Sequence, residues 1–135
     1  MDDGSAFFSV QVEVLTVVAE ACEVLELGSD KEAEVLLKRA ERIVVGLMRQ
    51  EDELIRPVVS RLLCVILHNL SYLNVRLGRT HVALRYMEQV ESMETGSAKQ
   101  PSSNPQTHYM LGVIRLALKD HNAAIVSCIN AYKLF

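Results

Sequence analysis

Polar side chains recur near the start of the chain at Ser9, Glu13, Thr16, Glu20 and Glu23, three or four residues apart, and nearly everything between them is apolar. That period predicts a helix from Ser5 to Leu27 with one narrow wet stripe. Gly28, Ser29 and Asp30 end it and open a second helix, with Asp30 as the N-cap and Glu32 and Glu34 near the positive end of the helix dipole, running to about Gln50. A polar stretch from Gln50 to Glu53 follows, and Pro57 suits the first turn of a third helix, about Pro57 to Leu77. This helix is the most apolar of all, so its faces need cover nearly all round. Gly78 closes it, and a fourth helix runs to about Met93. Thr95 to Pro105, rich in Gly, Ser, Asn and Pro, cannot bury apolar surface and reads as a flexible loop. A fifth helix from about Gln106 to Leu118 and a sixth from Asn122 complete an all-α chain.

A second pattern lies over the first. Ala21 with Ala33, Ser71 with Ala83, and Gly112 with Ala124 each set a small residue twelve positions before an alanine. Four and seven residues beyond that alanine stand Leu37 and Ala40, Met87 and Val90, and Cys128 and Ala131. Small residues on both sides of a turn let two antiparallel helices approach closely, so each unit reads as a helical hairpin stacked on the next.

Composition narrows the function classes. Half of the 135 residues are apolar, 5% are aromatic and 23% are charged, which suits one domain with an aliphatic core between helices. The net charge of −3 gives no general attraction to nucleic acid or to anionic membranes. The densest basic cluster, Lys38, Arg39 and Arg42, has Glu34 and Glu41 within helical reach and reads as a solvated, salt-bridged face. Cys22, Cys64 and Cys128 are isolated in apolar sequence, as expected of reduced core thiols in a cytoplasmic or nuclear protein. The acidic start at Met1, Asp2 and Asp3 does not fit a secretory signal. The longest uncharged apolar run, Leu62 to Val75, is shorter than a bilayer span and contains His68, Asn69 and Asn74, so no membrane segment is expected.

The three units resemble tetratricopeptide repeats, which set a Leu-Gly pair in the first helix and a ladder of Ala, aromatic and Ala in the second. Leu111 and Gly112 with Ala124, Cys128 and Ala131 fit best, although Arg115 stands where that family prefers tyrosine. The middle copy, with Asn69, Leu70, Ser71, Leu77, Gly78, Ala83 and Leu84, is similar to the asparagine-bearing repeats of kinesin light chains. The first copy keeps Ala21, Gly28, Ala33, Leu37 and Ala40 but has Glu20 in place of leucine. The repeats, about 5–50, 57–93 and 106–135, lack the family's tryptophan, and their small residues Ala21, Ser71 and Gly112 stand further apart than its period of about 34 residues. The resemblance implies one right-handed superhelix of about three repeats, and a non-catalytic module that binds a helical or extended peptide segment of a partner protein in its concave groove. Carried across residue by residue, the groove slots are Val18, Cys22 and Leu25, then His68, Asn69, Tyr72, Val75 and Arg76, then Tyr109, Met110 and Val113. The slots that grip a terminal carboxylate in the chaperone-binding branch hold Val18, Cys22, Asn69, Gln106 and Met110 here. Only Asn69 matches, so the cations of such a clamp are missing. An apolar or amphipathic segment is the better ligand, with Tyr72, Tyr109 and Met110 as anchors and Asn69 and Arg76 for orientation.

Enzyme chemistry finds no foothold. His68, His81, His108 and His121 form no H-x-x-x-H or H-E-x-x-H pair, and Glu51, Asp52 and Glu53 lack the alternating oxygen ligands and glycine turn of a cation loop. There is no glycine-rich phosphate loop and no G-x-S-x-G elbow, so neither cofactor nor metal is expected. The alternative to peptide binding is a structural helical domain that self-associates. The C-terminal hairpin bears on that choice: Ile125, Ile129, Tyr132, Leu134 and Phe135 cannot all face the fifth helix, so an exposed apolar patch is expected there.

Overall fold

The computed structural model describes residues 3–50, 53–96 and 102–134, with side chains from residue 6. Six helices follow one another: α1 (Asp3–Glu26), α2 (Asp30–Met48), α3 (Arg56–Arg76), α4 (Thr80–Thr95), α5 (Pro105–Ala117) and α6 (His121–Leu134). The described residues contain no strand. Compact packing divides the chain into two units, Met1–Ile66 and Leu67–Phe135, the division falling inside α3.

The three tight turns between helices are built alike. Gly28, Gly78 and Lys119 take the left-handed conformation, with φ of 83°, 78° and 64°. Their amides donate to the carbonyls of Leu25, Val75 and Leu116 at 3.0, 3.1 and 3.0 Å, and the next amides, of Ser29, Arg79 and Asp120, donate to Val24, Asn74 and Arg115 at 3.0, 2.8 and 2.9 Å. These paired bonds satisfy the last carbonyls of a helix and reverse the chain. The carbonyls of Ser29, Arg79 and Asp120 then accept from the amides of Ala33, Ala83 and Ala124 at 3.1, 3.1 and 2.9 Å, which starts the following helix. The alanine of the spacing pattern is therefore the residue whose amide bonds back to the carbonyl that ends the turn. Ser29, and not Asp30, holds the N-cap position of α2, and its side chain makes no capping bond.

In the first unit, Val14, Val17, Val18, Ala21 and Leu25 of α1 and Ala33, Leu37, Ala40 and Val44 of α2 are buried, as the spacing of small residues requires. Each fully buried aliphatic side chain contributes about 1.5–3 kcal/mol, so this stripe holds the hairpin more strongly than the exposed Arg39 to Glu13 ion pair at 3.5 Å. In the second unit the hydroxyl of buried Ser71 donates to the Ala83 carbonyl at 3.0 Å, linking α3 to α4. Gly112 of α5 meets α6 so closely that a Cβ there would lie 3.0 Å from Cys128 Sγ and 3.6 Å from Ser127 Cβ.

Two expectations change on contact with the structure. α3 is buried or half-buried on most of its faces but keeps one exposed stripe of Arg61, Val65, Tyr72 and Arg76. By length and composition α3 could also cross a membrane, because the apolar stretch continues past Arg61, and half of that stretch is buried inside the protein. The segment read as a flexible loop is ordered at both ends. Thr95 belongs to α4, Ser102 is buried, and Asn104 caps α5 by accepting from the Gln106 amide at 3.0 Å, with Pro105 in the first turn. Residues 97–101 lie outside the described residues.

A glutamate organises that C-terminal end. Glu94 Oε1 accepts from the Ser102 hydroxyl at 2.8 Å and from the Thr107 hydroxyl at 2.6 Å, while Oε2 accepts from the Asn104 side-chain amide at 2.7 Å. The Asn104 amide donates to Ser102 Oγ at 3.0 Å, and His108 Nε2 lies 2.6 Å from the Ser102 carbonyl. Buried hydroxyls thus find their partner in a carboxylate at the end of α4, which fixes where α5 begins.

Candidate functional site

The residues carried over as groove slots divide by burial. Val18 and Leu25 are buried, and Cys22 is half-buried with its thiol pushed above its ordinary range by burial first and by the Glu26 charge second. In the second unit Met110 is buried, only 7% exposed, so it belongs to the core and offers a partner little surface. His68, Asn69, Val75 and Val113 are half-buried, whereas Tyr72, Arg76 and Tyr109 are exposed. A slot that flanks the small residue on its inner side turns toward the partner helix, and that is the physical reason for the difference.

The slots of α3 form a line, half-buried at His68 and Asn69 and exposed at Tyr72 and Arg76. His68, Asn69, Tyr72 and Arg76 fall on one helical stripe, and the Arg76 guanidinium sits 5.9 Å from the centroid of the Tyr72 ring, a cation–π arrangement that orients both side chains. Burial pushes the His68 imidazole below its ordinary value, opposed in part by the Glu94 charge.

A second surface lies on the α5–α6 hairpin. Leu116, His121, Ala124, Ile125, Cys128, Ile129 and Tyr132 line an open apolar trough of about 380 Å³. Leu116 comes from α5 and the other side chains from along α6, which Gly112 lets approach α5 closely. Ile125, Ile129, Tyr132 and Leu134 are all exposed, Tyr132 by 84%, as the sequence led us to expect of this set; Phe135 lies outside the described residues. Four lining residues, Leu116, His121, Ala124 and Cys128, lie outside that expected set. Leu116 ends α5 on the same side, and Cys128, read as a core thiol, is exposed within the trough. Helical periodicity places Cys128 toward α5, and its Sγ does meet α5 at Gly112, but glycine has no side chain to cover the thiol; Ser127 beside it is buried and accepts a hydrogen bond from Arg115 Nη1 at 2.6 Å.

Among the described residues no three His, Cys, Asp or Glu side chains gather as metal ligands would. The trough is lined almost wholly by carbon. Such a surface can remove apolar side chains from water and little else. No family model matches the chain, and neither a curated protein nor a solved structure matches it.

Proposed function

We propose that this chain is a non-catalytic protein-interaction module of tetratricopeptide-like repeats, which binds an apolar or amphipathic segment of another polypeptide. The observation that carries this reading is the open trough on α5–α6, whose aliphatic and aromatic side chains gain by being covered. The threefold turn and the small-residue contacts support the repeat-like part of the proposal. Tyr72, Arg76 and Tyr109 supply a second, more polar contact surface.

A peptide-display selection tests it. The wild-type chain should enrich sequences with apolar residues at helical spacing, and an Ile125→Glu, Ile129→Glu variant, altered at two exposed positions, should stay folded and enrich none. Failure of the folded wild-type chain to enrich any such sequence would overturn the reading. Enrichment that survives in the variant would move the site to Tyr72 and Tyr109, which a Tyr72→Ala, Tyr109→Ala pair then removes.

A further inference from the structure

The α5–α6 trough has a counterpart at the other end of the sequence. On α1, Phe8, Val12, Leu15 and Ala19 are exposed, Phe8 by 65%, and recur at intervals of four, three and four residues. That spacing aligns them on one side of the helix, separate from the buried stripe of Val14, Val17, Val18, Ala21 and Leu25. A helix facing water on that side has no use for such a stripe, whereas an amphipathic helix lying in an apolar groove reads in just these intervals.

Charge decides which surfaces pair. α1 carries Glu13, Glu20, Glu23 and Glu26 and no basic residue. The only charged side chains of α5 and α6 are Arg115 and Lys133, with Lys119 in the turn between them offset by Asp120. Trough against trough would set lysine and arginine against themselves, and α1 against α1 would set glutamate against glutamate. Trough against α1 sets an acidic helix against a hairpin whose helices carry only basic charges, which favours that pairing over the other two.

We propose that the chain associates with a second copy of itself head to tail, the Phe8, Val12, Leu15 and Ala19 stripe of one copy lying in the α5–α6 trough of the next. This rests on the reading of the trough as a polypeptide-binding surface and names its occupant. Two different surfaces meet, so the contact is heterologous, and each copy added leaves one trough and one stripe open unless the assembly closes on itself. α1 then takes the place beside α6 that the next hairpin of a repeat stack would hold.

Light scattering on the full chain tests this. The wild type should exceed its 15.1 kDa chain mass and grow with concentration. A Val12→Glu, Leu15→Glu variant and the Ile125→Glu, Ile129→Glu variant should each be monomeric, because each has lost one face. Mixed, they retain one intact stripe and one intact trough and should form a dimer that grows no further. A milder variant guards against misfolding: Leu15→Cys under oxidation should join to the exposed Cys128 of another copy. A wild-type chain that stays monomeric, a mixture that fails to pair, or a Cys128 to Cys128 disulfide as the main product would each overturn the proposal. If the monomeric wild type still enriches amphipathic peptides, the interaction reading stands and the self-association falls; if it does neither, both fall.

Discussion

The second and third hairpins share one backbone plan and differ in how far it is closed. Both set a small residue, Ser71 or Gly112, against an alanine twelve positions on, across the same pair of turn hydrogen bonds. Yet the ladder positions of α4, Met87 and Val90, are buried, while in α6 Cys128 is exposed and only Ala131 is buried. α4 packs against α3 through Ser71 and Ala83 and also against α5, so its apolar positions find cover on two sides. α6 packs on α5, and the rest of its apolar surface is left to form the trough. Similar sequence patterns thus yield a core element in one place and an exposed apolar surface in another, according to the number of neighbours.

The strongest test of that contrast is to enlarge the alanine. Ala83 is fully buried and its carbonyl is engaged by Ser71, so Ala83→Leu should overpack the hairpin and cost about 2–3 kcal/mol, read from chemical denaturation. Ala124 is buried too, but it borders the open trough on one side, where a longer side chain finds room, and Ala124→Leu should cost less, about 1 kcal/mol. Equal losses would mean that α6 is as enclosed as α4.

Closure of the second hairpin also depends on Glu94, which joins the end of α4 to the start of α5. Glu94→Ala leaves the hydroxyls of Ser102 and Thr107 buried without their acceptor, and should cost about 2 kcal/mol. Hydrogen exchange should quicken at residues 102–108 and not in α6. Unchanged exchange there would show that packing alone holds the start of α5.

Much of this frame was legible in the residues. The turns could be read because their chemistry is local: a glycine that accepts positive φ, and an alanine five residues on. The exposed side of α6 could be read as well, because five large apolar side chains crowd a helix with one evident neighbour. The burial of Val18, Leu25 and Met110 could not, since a position beside the small residue looks the same whether it faces the partner helix or a groove. Nor could the ordering of Ser102, because its partner Glu94 belongs to a different element and polar pairings leave no period along the chain.

The third turn offers a finer comparison. Lys119 holds the left-handed conformation that Gly28 and Gly78 hold elsewhere, and a Cβ in that conformation costs about 1–2 kcal/mol. Lys119→Gly should therefore raise stability by about 1 kcal/mol, and Gly78→Lys should lower it by a similar amount, both read from thermal melts. If Lys119→Gly brings no gain, the extra freedom that glycine gives the unfolded chain has cancelled the relief of strain.

The smallest effect comes from protons. His68 is half-buried on α3, and burial holds its imidazole below the ordinary value of 6.5, with the Glu94 charge pulling the other way but less strongly. The unfolded chain therefore binds this proton more readily than the folded one in the window just below that value. The contribution to stability is fully present above pH 6.5 and declines as the pH falls through the window toward the lowered folded value. The melting temperature should drop modestly on acidification from neutral pH, and His68→Gln should flatten that part of the profile. Because the Glu94 charge offsets part of the burial effect, a Glu94→Gln variant should steepen the His68 contribution even as it weakens the cap of α5. A profile that His68→Gln leaves unchanged would place the acid sensitivity outside the closed hairpin and remove His68 from the comparison.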